Sequence, residues 1–145
     1  ETIPSEEIYN HLVISAPYLE LPEEFTLSEF LEFHFSFKQA KPGLSEKQMV
    51  EIMYLKGQEQ KPISQFSSGM KQRLKLGICF FSKTNLILLD EPTSNLDEKG
   101  VKWYLHLIQH FSQDATIFVC SNDQREYSFC DNIVEIEAYK PKRIL

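Results

Sequence analysis

The stretch Leu86-Ile87-Leu88-Leu89-Asp90-Glu91-Pro92 decides the fold. Four aliphatic residues in a row are strand-sized, and the run ends in two adjacent acids. A strand that ends this way sets both carboxylates at the carboxyl edge of a sheet, where open α/β sheets bind their ligands. An acid there can hold Mg2+, directly or through water, and its neighbour can take a proton from an attacking water. Taken alone, the stretch also reads as a buried strand followed by a solvated acidic turn. The segments on either side are therefore needed to choose.

Downstream, Pro92-Thr93-Ser94-Asn95 makes a turn, and a helix runs from about Asp97 to Phe111 with Val101, Leu105 and Ile108 as its buried stripe. Residues 116–120 and 132–137 read as further strands. Upstream, Ser67-Ser68-Gly69 opens a helix that carries Met70, Leu74, Ile78 and Phe81 on one face. Two capping boxes, Thr26 with Glu29 and Ser45 with Gln48, start two more helices, toward Lys38 and Leu55. Residues 11–15 read as a short strand. Strand and helix alternate after residue 85, which implies a parallel sheet. Three or four strands make only a partial sheet, with an edge that would want a partner.

The 145 residues amount to one domain, with 42% hydrophobic and 25% charged residues. A net charge of −6 gives no support to a nucleic-acid surface, which needs a basic face. No apolar run approaches the roughly 18–20 residues that cross a bilayer. Cys79, Cys120 and Cys130 sit beside apolar residues and read as reduced core cysteines. His106 and His110 are four apart on a helix, with no third ligand in view, and read as a solvated or packed pair. The phenylalanines from Phe25 to Phe37 and Trp103 read as packing.

Taken together, these segments resemble the ATPase domain of ABC proteins. Leu86 to Pro92 resembles the Walker B motif, and Ser94-Asn95-Leu96-Asp97 the loop that follows it. Phe66-Ser67-Ser68-Gly69-Met70, continued by Lys71-Gln72-Arg73-Leu74, stands where the signature belongs, about twenty residues upstream. Residues 116–119 with Cys120-Ser121-Asn122-Asp123 match the strand and switch loop.

The resemblance implies a partial P-loop NTPase fold of the α/β class. It comprises a helical subdomain and an incomplete, mostly parallel sheet. Its parts are a strand and loop over 1–25, the helical subdomain over 26–84, and the Walker B, switch loop and C-terminal strands over 85–145. It implies ATP and Mg2+ as ligands. Asp90 would hold the metal, Glu91 would act as general base and Asn122 would meet the γ-phosphate. Ser67, Ser68 and Gly69 would clamp the nucleotide of a second ATPase domain, and Asp97 would link the two sites. Ser-Ser-Gly at a helix start suits an anion, because backbone N–H groups and the helix dipole both point outward there.

Several positions depart from the family. Ser68 replaces Gly, Met70 replaces Gln, and Asn122 replaces His; an amide does not titrate near neutrality, so slower hydrolysis is expected. Ser15-Ala16-Pro17 stands where the family carries a Gln. No glycine among Gly43, Gly57, Gly69, Gly77 and Gly100 is followed by Lys, so there is no phosphate loop. The chain is therefore expected to be the C-terminal portion of such a domain, inactive by itself. The expected parent is the ATP-binding subunit of an ABC transporter. It would be cytoplasmic, peripheral to the inner face of the membrane and assembled with a transmembrane subunit. A soluble ABC ATPase and a non-catalytic dimerisation module are the alternatives.

Overall fold

The computed structural model describes residues 3–139. In chain order, α1 (Ile8–His11) leads into β1 (Leu12–Ser15), and α2 (Leu27–Phe37), α3 (Glu46–Ile52) and α4 (Ser68–Phe81) follow. Then come β2 (Leu86–Asp90), α5 (Glu98–Phe111), β3 (Thr116–Cys120) and the short α6 (Gln124–Tyr127). Helices begin where their caps are. The Glu29 carboxylate accepts the Thr26 N–H at 2.8 Å while Thr26 accepts from Glu29, and Ser45 and Gln48 exchange the same pair of bonds. Ser67 caps α4 and Asp97 caps α5.

The sheet is parallel, in the order β1-β2-β3. The register sets Ser15 opposite Leu89 and Asp90 opposite Cys120. Side chains alternate across the pleat, so Val13, Ser15, Ile87 and Leu89 are buried on one face. On the other face Ile14 and Phe118 are 41% and 60% exposed. Parallel sheets ordinarily bury both faces. Helix α4 packs against β1 and α5, closing a core that includes Leu27, Leu74, Phe80 and Tyr104.

Residues 132–137, expected as a strand, are not one. No neighbour among the described residues supplies the hydrogen bonds a strand needs. Ile133 and Val134 lie outside regular structure, and Ile136–Tyr139 forms a 3-10 turn, with Ile136 70% exposed. The cysteines also divide. Cys79 is buried, Cys130 half-buried and Cys120 exposed, because β3 turns Cys120 to the open face. On α5, Tyr104, Leu107 and Trp103 join Val101 and Ile108 in the core, while Leu105 is only half-buried. The Trp103 indole N–H donates to the Ile52 carbonyl at 2.7 Å, tying α5 to α3. Phe33 and Phe37 are largely exposed, although both rings stack edge-on within α2.

Gly77 lets α4 approach α3. A Cβ there would lie 2.3 Å from the Met53 sulfur, and Met53 is fully buried. Gly77→Ala is therefore expected to destabilise the protein by about 1–3 kcal/mol, read as a lower urea midpoint. In a Met53→Ala background the same Gly77→Ala change should cost less, if the clash is the cause.

Candidate functional site

Strand β2 carries Asp90 to the carboxyl edge of the sheet, and the chain turns at once. Glu91 has φ 43°, in the left-handed region that non-glycine residues rarely adopt. Its N–H donates to the Cys120 carbonyl at 2.9 Å, so the strained residue is held by the end of β3. Its own carbonyl accepts from the Ser94 hydroxyl at 2.7 Å and the Ser94 N–H at 3.1 Å. The Glu91 side chain is exposed, and Asp90 is half-buried. Neither carboxylate has a hydrogen bond or ion pair among the described residues, which leaves their oxygens free for a ligand.

Asn122 lies just past β3, two residues beyond the partner of Asp90, with its side chain exposed. Backbone pairing thus brings Asp90, Glu91 and Asn122 to one edge. Next to Asn122, Asp123 caps α6 and pairs with Arg125 at 2.5 Å. The Arg125 side-chain hydrogen bonds, then its backbone N–H, hold the Asp123 carboxyl below the usual carboxylate range.

Ser67, Ser68 and Gly69 start α4. The Ser67 hydroxyl accepts the Met70 N–H at 3.2 Å, so it serves the helix as its cap. A Cβ at Gly69 would stand 3.3 Å from the Asn95 carbonyl, placing the start of α4 against the turn after β2. Asn95 itself has φ 65°. One Asp97 oxygen accepts the Gly100 N–H at 2.8 Å, and the residue is otherwise exposed.

Two buried side chains bind these pieces together, and sequence reasoning singled out neither. The Gln72 amide on α4 donates to the Pro92 carbonyl at 2.7 Å. Glu126 on α6 is 3% exposed and accepts from both the N–H (2.7 Å) and the hydroxyl of Thr93. The Tyr104 hydroxyl donates to the Glu126 carbonyl at 2.9 Å, and burial pushes that phenol well above its ordinary range. The turn after Glu91 is therefore gripped from the α4 side and from the α6 side. Glu126 sits in the polar run Asp123-Gln124-Arg125-Glu126, where nothing in the residue types marks one acid as buried.

A parallel sheet with free acids at its carboxyl edge, beside a helix start and a loop from the next strand, defines an α/β domain of the P-loop NTPase type. Residues 15–94 match the ABC transporter family. The chain belongs to that family.

An uncharacterized ABC transporter ATP-binding protein of Bacillus subtilis, YybJ, is 43% identical over 77 residues, covering 51% of this chain and 35% of that protein. A second from the same organism, YcbN, is 30% identical over 123 residues, covering 83% and 40%. The chain thus spans well under half the length of both. Among solved structures, the ATP-binding subunit of an ABC transporter matches with a TM-score of 0.66 at 24% identity, covering 79% of this chain and 50% of that one.

Glu126→Ala would strand the buried Thr93 N–H and hydroxyl without an acceptor. The expected cost is about 1–3 kcal/mol, with faster exchange of the Thr93 amide hydrogen. Retention of both values would show that the Thr93 turn does not depend on Glu126.

Proposed function

We propose that this chain is the C-terminal portion of the ATP-hydrolysing subunit of an ABC transporter. One observation carries the reading. The turn that follows Asp90 and Glu91 is hydrogen-bonded to the end of β3 through Cys120 and to the signature helix through Gln72. The acidic edge that would meet this chain's own nucleotide is thereby joined, at a single turn, to the helix whose start would meet the nucleotide of a second ATPase domain.

The side chains suit those roles. Mg2+ is a hard cation that keeps several waters and takes one or two carboxylates, so a single unpaired Asp90 at the sheet edge fits it. When bound, the ion would neutralise phosphate charge. Glu91, exposed and unpaired, is the group to accept a proton from water. Asn122 offers an uncharged amide to the γ-phosphate. Ser67 is already committed to its helix, so the contribution of Ser67-Ser68-Gly69 to a clamp rests chiefly on backbone N–H groups and the dipole of α4, a helix of 14 residues. That clamp would close on the nucleotide of a second ATPase domain, with Asp97 linking the two sites. A transmembrane subunit would hold the pair at the inner face of the membrane. The open sheet face at Ile14 and Phe118 suits a further layer, and the phosphate loop must come from outside residues 1–145, since no glycine here opens one.

The test is ATP turnover in a longer protein that contains this chain together with a phosphate loop. Glu91→Gln is expected to lower turnover by about a hundredfold or more, with nucleotide binding retained, and Asn122→His to raise single-turnover hydrolysis. The 145-residue chain alone should show no turnover. Activity in that chain, or in full measure in the Glu91→Gln protein, would overturn the mechanism.

A further inference from the structure

Away from the sheet edge, α4, α5 and the segment after α3 enclose an open groove of about 620 Å3, lined by Tyr54, Arg73, Lys99, Lys102, Trp103 and His106. That volume lies within the range of ligand sites. Its chemistry runs against the chain's average: the protein carries a net charge of −6, yet this lining holds Arg73, Lys99 and Lys102 and no carboxylate.

Arg73 is the centre. Its guanidinium carbon lies 4.8 Å from the Trp103 ring and 5.2 Å from the Tyr54 ring, so two aromatic faces hold it. Its Nη1 is shielded from solvent and has no hydrogen-bond partner among the described residues. A buried donor left unsatisfied is costly, and a guanidinium fork is shaped for a carboxylate or another planar anion. Lys99 and Lys102 are exposed and appear in none of the ion pairs of the described residues. With His106 they follow one helix over eight residues, about 10 Å of rise. Glu51, one turn before Tyr54, pairs with Lys56.

Tyr54 is 71% exposed and has φ 56°, a backbone conformation costly for a tyrosine, and it presents its ring to solvent beside Arg73. Trp, Tyr and Arg are the residue types that dominate the energetic centres of protein interfaces. A polyphosphate would use the cations and leave the Tyr54 ring without a role. An acidic peptide uses both, with carboxylates on Arg73, Lys99 and Lys102 and its backbone or side-chain methylenes over the tyrosine.

We propose that this groove is a docking site for an acidic segment of a partner protein, separate from the nucleotide edge. It does not depend on the ATPase reading. Trp103 is the chain's one tryptophan and lines the groove, so its fluorescence reports on occupancy.

The experiment is titration of the 145-residue chain with a hexaglutamate peptide, followed by Trp103 emission. A saturable change that weakens as salt rises is expected. The doubly substituted Lys99→Glu, Lys102→Glu chain, altered only at exposed positions, should bind about tenfold more weakly or worse. Arg73→Lys, which keeps the charge but loses the planar fork, should weaken binding as well. Absence of a saturable change, indifference to the Lys99 and Lys102 reversals, or tighter binding of inorganic triphosphate or of phosphatidylglycerol vesicles would overturn the proposal.

Discussion

Both neighbours of β2 hydrogen-bond to it, and the rest of the molecule is arranged around that double ladder. Leu89 stands between Ser15 and Val119, and Asp90 beside Cys120. Because the pleat alternates, this register alone sends Ile87 and Leu89 into the helical core and leaves Asp90 at the edge. A slip of one residue would put the acid in the core and Leu89 at the site. The apolar cost of that exchange, several residues deep on one face, is what holds the register.

The ladder ends in strain. Glu91 and Asn95, four residues apart in one turn, both have left-handed backbone, a conformation that costs about 1–2 kcal/mol for residues with a Cβ. The turn keeps this shape because it is over-determined. Cys120 holds the Glu91 N–H, Ser94 holds its carbonyl, Gln72 holds Pro92 and Glu126 holds Thr93. Strain of this kind persists at functional sites when neighbours enforce it. Here it has a visible effect: the Glu91 carboxylate is directed out of the sheet to solvent instead of continuing the strand's alternation.

The molecule also presents surfaces that its own described residues do not complete. The sheet face bearing Ile14 and Phe118 is apolar and open, while the groove around Arg73 is cationic and aromatic. They differ in chemistry and lie on different elements. The first follows from a parallel sheet covered on one side. The second follows from packing α4 against α5 so that Arg73 is trapped between two rings.

The sequence by itself determined the elements and the edge. Apolar runs at 86–89 and 116–119, capping boxes at Thr26 and Ser45, and the cap at Ser67 are local signals, and local hydrogen bonds are enough to realise them. That Asp90, Glu91 and Asn122 lie at or just past strand ends was legible for the same reason, since a strand's end is set by the strand. Residues 132–137 were not legible, because their apolar pattern suits a strand, yet no strand among the described residues pairs with them. Gln72, Glu126 and the Arg73 groove were equally hidden. Each depends on contacts between segments at least 19 positions apart in the chain, such as Arg73 with Tyr54, Gln72 with Pro92 and Thr93 with Glu126. Burial of a polar side chain is a property of its surroundings, and only the tertiary structure supplies those.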